Sequence, residues 1–242
     1  MRNDESWPAR YRLRFCIARY RSRFFNAARY LFIVATVATS CSRNQHLQPT
    51  SPRIESQPTV ARPLPASASY ELTQLLGSVV EQSEKTTGYD PAYTAIDYPN
   101  GDVPLETGVC SDVIVRAFRK AGIDLQKEVH EDMERAWSEY PTKWGARGTD
   151  KNIDHRRVLN LAKYFERRGK SLSITANADD YRPGDIVAWD LGNGIDHIGI
   201  VTNQWSEATK RYLIAHNIGA GARIEDRLFD WTVIGHFRYF EK

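Results

Sequence analysis

The sequence predicts an α+β domain in which amino-terminal helices pack on an antiparallel sheet. Three observations carry this. Apolar residues in the first half of the globular region recur at helical spacing. In the second half they alternate in short runs bounded by turn residues. Gly-x-Gly-x-x-Gly, phosphate-loop and Cys-x-x-Cys motifs are absent, and helices followed by strands is not the order of a doubly wound parallel sheet.

The chain has 242 residues and a net charge of +3. That charge is unevenly placed. Residues 1–41 hold eight Arg against two acids, leaving 25 basic and 28 acidic residues in the remainder. A near-neutral body has no basic footprint, so nucleic acid is not an expected partner. Within 1–41, the apolar run from Tyr30 to Ser40 is shorter than the about 20 residues that span a bilayer. A basic region, a short apolar core and small residues form the pattern of an export signal. Cys41 follows Ala38-Thr39-Ser40, which looks like a bacterial lipoprotein signal with Cys41 as the lipidation site, while Ala38-x-Ser40 also suits an ordinary signal peptidase. Lipidation would tether an exported protein to a membrane of a bacterial envelope. Residues 42–68 carry Pro49, Pro52, Pro58, Pro63 and Pro65 among polar residues, and are expected to be a solvated tether.

Residues 69–242 form the expected folded domain, read as a monomer. Leu72, Leu75, Leu76, Val79 and Val80 make the first helical stripe, which Gly88 is expected to close. A second helix is expected from Cys110 to Ala121, with Val113, Ile114, Ala117 and Phe118 on one face and Gly122 as its stop. A third runs from Leu125 to Trp137. A fourth starts at Asn152 or Asp154 and reaches Gly169. Strands are expected at Asp185–Trp189, His197–Thr202, Tyr212–His216 and Val233–Tyr239, as an antiparallel meander.

Cys16 and Cys41 lie in the leader, so the folded domain carries a single thiol, Cys110. The start of a helix favours a thiolate and offers N–H groups to an oxyanion. The same cysteine lies on an apolar stripe and suits a buried position equally. His197 and His216 sit on successive strand candidates. With a four-residue turn at Ser206–Thr209, Trp205 pairs with Lys210 and His216 lies opposite Gly199, a diagonal step from His197. A two-residue loop would set the two histidines directly opposite. Either way both rings share one face, about 4.5–8 Å apart at Cβ, whereas an odd loop would separate them. The chemistry expected is that of an activated nucleophile. Cys110 attacks, His197 is base and acid, and His216 bonds the far nitrogen of His197.

Cys110-Ser111 at a helix start, Gly184-Asp-Ile-Val187, His197-Ile-Gly-Ile-Val201 and Ile214-Ala-His216 together resemble the NlpC-type papain-fold peptidases of bacterial cell walls. The resemblance is closer to domain-of-unknown-function family 1287. It rests on Asp97-Tyr-Pro-Asn-Gly-Asp-Val-Pro104, Gly108-Val-Cys-Ser-Asp112, Asn152-Ile-Asp-His-Arg-Arg157, Gly184–Asp190 and His216-Asn-Ile-Gly219. It implies a papain-like fold and a cofactor-free cysteine peptidase or amidase acting on peptidoglycan stem peptides. Val109 stands where the wall peptidases usually have Asp, and Asp112 where they usually have Gly.

Further residues are candidates for substrate contact. Arg156 and Arg157 suit a carboxylate. Tyr98, Asp102, Ser111 and Asp112 are close to Cys110 in sequence. Asp190 and Asp196 are expected to serve a turn, and His236 to be structural. Three rival readings use the same residues. Cys110, His197 and His216 could form a zinc set, although no HExxH or close ligand pair supports it and no metal is the expectation. The domain could bind the wall without cutting it. The thiol could also transfer an acyl group to an amine.

Overall fold

The computed structural model describes residues 59–240. The leader, Cys16, Cys41 and residues 42–58 of the expected tether lie outside the described residues.

Helix α1 (Tyr70–Lys85) begins at Ser69, whose hydroxyl accepts the Leu72 N–H at 3.1 Å. Leu72, Leu75, Leu76 and Val79 are buried, whereas Val80 is on the exposed side. The helix ends at Lys85, three residues before the expected Gly88. The Gly88 carbonyl instead accepts a side-chain amide from Asn217 at 3.0 Å. Helix α2 (Cys110–Lys120) buries Val113, Ile114, Ala117 and Phe118 as its stripe predicts, and Gly122 follows with φ +84°. Helix α3 (Leu125–Arg135) is capped by Asp124 and is shorter than expected.

The fourth helix differs more. Asp154–Arg156 is a separate 3₁₀ turn, Arg157 is extended, and α4 runs Val158–Arg167. Neither Asn152 nor Asp154 caps it. Asn152 accepts the Ile96 N–H, while Asp154 accepts the Asp150 N–H and bonds His130. Side chains that read as caps in sequence are spent on tying loops together.

The sheet contains β1 (Thr59–Ala61), β2 (Ile186–Asp190), β3 (Asp196–Ser206), β4 (Arg211–Asn217), β5 (Ala222–Glu225) and β6 (Thr232–Phe237), all paired antiparallel. Its order is β5-β4-β3-β2-β6. The expected meander therefore holds from β2 to β5, after which the last strand crosses to the far edge beside β2. Strand β5 was not expected. Strand β1 was expected as solvated tether, but it pairs with Gln204–Ser206 of β3. Arg62 then lies 3.4 Å over the Trp205 ring.

The register of β3 on β4 changes along its length. Near the turn, Trp205 faces Tyr212 rather than the expected Lys210. At the other end, Ile200 faces Ala215, which is the expected register. Between them Thr202, Asn203 and Gln204 oppose Leu213 alone. Asn203 exchanges hydrogen bonds with Arg62 at 2.9 Å in both directions, and this turns the bulge toward the strap before α1.

Helices α1, α2 and α4 cover one face of the sheet, where Ile198, Ile200, Ile186 and Phe237 join their core. Phe118 is its hub, 5.4 Å from Phe165, 5.1 Å from Tyr239 and 5.2 Å from Phe240 between ring centroids. Phe118→Ala should destabilise the domain by about 3–5 kcal/mol, since the cavity cannot close against three other rings. Urea unfolding of the wild type and variant measures the difference.

Candidate active site

The loop before α2 is built to place Cys110. Arg116, from α2, donates to Asp102 and to the carbonyls of Val103, Pro104 and Thr107. Gln126 accepts the Gly101 N–H and donates to the Asp97 carbonyl. A Cβ at Gly101 would stand 2.0 Å from that carbonyl oxygen, so only glycine fits. At the helix start, Asp112 accepts the Val109 N–H at 2.7 Å and pairs with Arg156 at 2.9 and 3.0 Å. Asn217 at the end of β4 donates to the Gly108 carbonyl at 3.0 Å. The head of α2 is thus tied to the sheet and to the turn before α4.

Cys110 is only 6% exposed and free of any disulfide. It lines a cleft of about 180 Å³ together with Tyr89, Trp144, Arg157 and Asp196. Burial pushes its thiol up to about 12, although the N–H groups of Ile198, Ser111 and Cys110 itself favour the thiolate. Of the two expectations for Cys110, the buried one prevails, because loss of water outweighs the helix start. The sulfur meets the N–H of Ile198, the residue after His197, but the rings turn the other way. Cys110 shares the helix-side core with Ile198 and Ile200, whereas His197 and His216 pack on Trp189 and Trp231 across the sheet, so the expected convergence of the thiol with the two imidazoles is corrected.

His197 Nε2 and His216 Nδ1 are 2.8 Å apart. Their rings stand nearly perpendicular with centroids at 5.0 Å. Gly199 makes this possible. A Cβ there would come within 2.7 Å of Ile214 and 3.3 Å of the His216 Cβ. His216 Nε2 reaches Glu225 Oε2 at 3.3 Å. With Glu225 Oε2 as the acceptor, His216 donates from Nε2. Its Nδ1 then accepts from His197 Nε2–H, which leaves His197 Nδ1 as a bare acceptor. Burial lowers the pKa of His197 to about 3, with a smaller push from His216. Burial also lowers that of His216, against the pull of Glu225. Trp189 and Trp231 flank His197 at 5.8 and 5.6 Å. The two ring nitrogens between the histidines are spent on each other, which leaves them unsuited to a shared zinc ion.

The remaining candidates separate. Arg156 is 7% exposed, and its guanidinium serves Asp112 and the carbonyls of Ala92 and Asp90, so it has little left for a substrate. Asp112 is its partner and does not line the cleft. Ser111 donates to the Arg156 carbonyl, again in the interior. Asp102 is held by Arg116 and Arg119. Tyr98 packs edge-on against His130 at 5.4 Å, away from Cys110. Arg157 does line the cleft and lies over the Trp144 ring at 4.7 Å. Asp190 serves its turn, accepting the Gly192 N–H. Asp196 does more, because it pairs with Lys143 at 2.7 Å on the cleft wall. His236 is buried between Asp185 and Tyr181, as a structural residue would be.

A family model described as a domain of unknown function, DUF1287, matches residues 77–239. The chain belongs to this family. The motifs quoted from the sequence all lie within the match. The uncharacterized protein YijF of Escherichia coli K12 is 52% identical over 162 residues, which cover 67% of this chain and 78% of YijF. Solved structures with a looser likeness include NlpC1 from Trichomonas vaginalis, at 13% identity and a TM-score of 0.39. That match covers 76% of this chain and 48% of the other. An N-acetylmuramoyl-L-alanine amidase from Bacteroides uniformis matches at 13% identity and a TM-score of 0.38, over 72% of this chain and 100% of its own.

Glu225, Tyr89, Trp144 and Asn217 escaped the sequence reading. Arg-Ile-Glu at 223–225 alternates, but only three residues stand between Ala222 and Asp226. Glu225 becomes visible as a partner only once His216 pairs with Arg223, one diagonal step away.

Two pH effects follow from this DUF1287 domain's site. Alkylation of Cys110 by iodoacetamide should be slow at neutral pH and rise steeply through pH 8–10 without levelling off, as a raised thiol requires. Rates from mass spectrometry of the modified peptide test this. His197 and His155 are held neutral, lowered from 6.5 to about 3 and about 4. Between those values and 6.5 the unfolded chain binds more protons than the folded one, so stability rises with pH there. Denaturation midpoints should be level above pH 6.5 and fall from there toward pH 4, and His155→Gln should flatten the slope.

Proposed function

We propose that this protein is an exported cysteine hydrolase of papain-like fold that cleaves an amide bond in peptidoglycan stem peptides. The reading is supported by a lone thiol at the head of α2 that opens on a cleft, and by a Glu225–His216–His197 chain whose last member is next to Ile198, the residue whose N–H meets the sulfur. In the resting state thiol and imidazole are both neutral. The first step requires β3 to rearrange so that His197 Nδ1 comes within reach of the sulfur; the Cys110 proton then passes to it as sulfur attacks the amide carbon. The carbonyl oxygen takes up the negative charge and is met by N–H groups at the head of α2, those of Cys110 or Ser111. The C–N bond then breaks, His197 returns its proton to the leaving amine, and a thioester remains. Water, deprotonated by His197, releases the acid and restores the thiol. His216 and Glu225 touch no reacting atom; they hold the His197 tautomer and stabilise its charged form.

Export and a lipid anchor at Cys41 belong to the same proposal, since they would put the domain beside the wall. A second reading, a wall-binding module without catalysis, is favoured by the burial of the sulfur and the raised thiol. The two part on one experiment. Purified sacculi are incubated with the protein and the released peptides weighed. Cys110→Ala should abolish release while thermal unfolding stays unchanged, and unaltered release would refute the thiol mechanism. Glu225→Gln should lower kcat on the order of a hundredfold with little change in KM, because a neutral amide no longer orients and charges the relay.

A further inference from the structure

The Cys110 cleft holds three charged groups besides the thiol's surroundings already described, and two of them are neutralised. Arg156 is matched by Asp112, and Asp196 by Lys143. Arg157 is not matched. No carboxylate among the described residues lies within ion-pair distance of it, and its contact is the Trp144 ring face. Half-buried beside Arg156, it carries a charge that both burial and its neighbour oppose, with only Asp154 in its favour. The guanidinium lies over the indole, and its side-chain N–H groups have no hydrogen-bond partner among the described residues, which leaves them for a carboxylate to take bidentately.

Trp144 is itself held in an unusual state. Its φ is +71°, a left-handed conformation that costs a bulky side chain energy and persists where the surroundings enforce it. Lys143, the residue before it, is anchored on the cleft wall. Its ammonium donates to Asp196 at 2.7 Å and to the Gly194 carbonyl at 3.2 Å, which pins the 143–145 turn to the loop leading into His197. An aromatic ring and an uncompensated cation thus stand side by side on the wall of the cleft that Cys110 lines.

We infer that Arg157 and Trp144 form a carboxylate-binding subsite, so that the substrate is a peptide bearing a free carboxylate close to the amide that Cys110 attacks. This rests on the hydrolase reading for its meaning but not for its test. The carboxylate could be a side chain or a chain terminus. Three probes separate these sources: the tripeptide Ala-Glu-Ala, its carboxy-terminal amide, and Ala-Gln-Ala. Binding to the full chain is measured by calorimetry at low and high salt. At least one acid form should bind about tenfold more tightly than its neutralised counterpart, and salt should reduce the difference. The probe whose neutralisation removes binding identifies the source. Arg157→Gln should abolish the preference and leave neutral peptides unaffected, and Arg157→Lys should restore it in part. Far-ultraviolet circular dichroism checks the fold of both. Equal or absent binding of acid and neutral forms by the wild type overturns the subsite, as does a preference that survives in Arg157→Gln. Arg157-dependent binding without any Cys110-dependent cleavage of sacculi would keep the subsite and remove the hydrolase.

Discussion

The buried ion pair between Asp112 and Arg156 is the constraint on which the site depends. Both side chains are almost fully removed from water, at 4% and 3% exposure. Such a pair gains little net stability over apolar residues, but it tolerates no partial loss, because either member alone would be an unpaired buried charge. What it contributes here is position. Asp112 also receives the Val109 N–H, and Arg156 also grips the carbonyls of Asp90 and Ala92. One contact therefore sets the start of α2, the segment after α1 and the turn before α4 in a common frame. Asn217 joins β4 to the same frame through Gly88 and Gly108. In the wall peptidases that the sequence resembles, the position of Asp112 is usually glycine. The departure has a structural purpose in this chain.

That frame explains why the thiol stays neutral. A helix start in water would stabilise a thiolate, but this one is wedged against β3 with only a narrow opening to the cleft. The N–H groups around the sulfur partly compensate, and burial still prevails. The same dryness lowers the pKa of His197 and His216. Glu225 stands at the far end of the histidine pair, bonded to His216 and outside the Cys110 cleft.

The motifs near Cys110 that read as substrate contacts turn out to be its foundations. Asp97–Pro104 is fastened by Arg116 and Gln126, and Asp102 answers two arginines. Polar residues close to a nucleophile in sequence are as well suited to hold its loop as to touch a ligand. Only their hydrogen bonds separate the two roles.

The sequence by itself determined the helix stripes, four of the strands, the single thiol of the folded domain and the shared face of His197 and His216. These are local and periodic properties, and periodicity survives distant packing. The histidine pair is instructive. The bulge in β3 adds two residues, not one, so the expected pairing at Trp205 fails while both rings keep their face. The tertiary structure alone decided three other matters. It brought Glu225 to His216 through a strand too short to read. It raised the thiol, because burial depends on everything packed around the helix start. It also assigned opposite fates to Arg156 and Arg157, neighbours of identical chemistry that both border the cleft, since Asp112 and two carbonyls take up the guanidinium of the first and leave that of the second without a carboxylate.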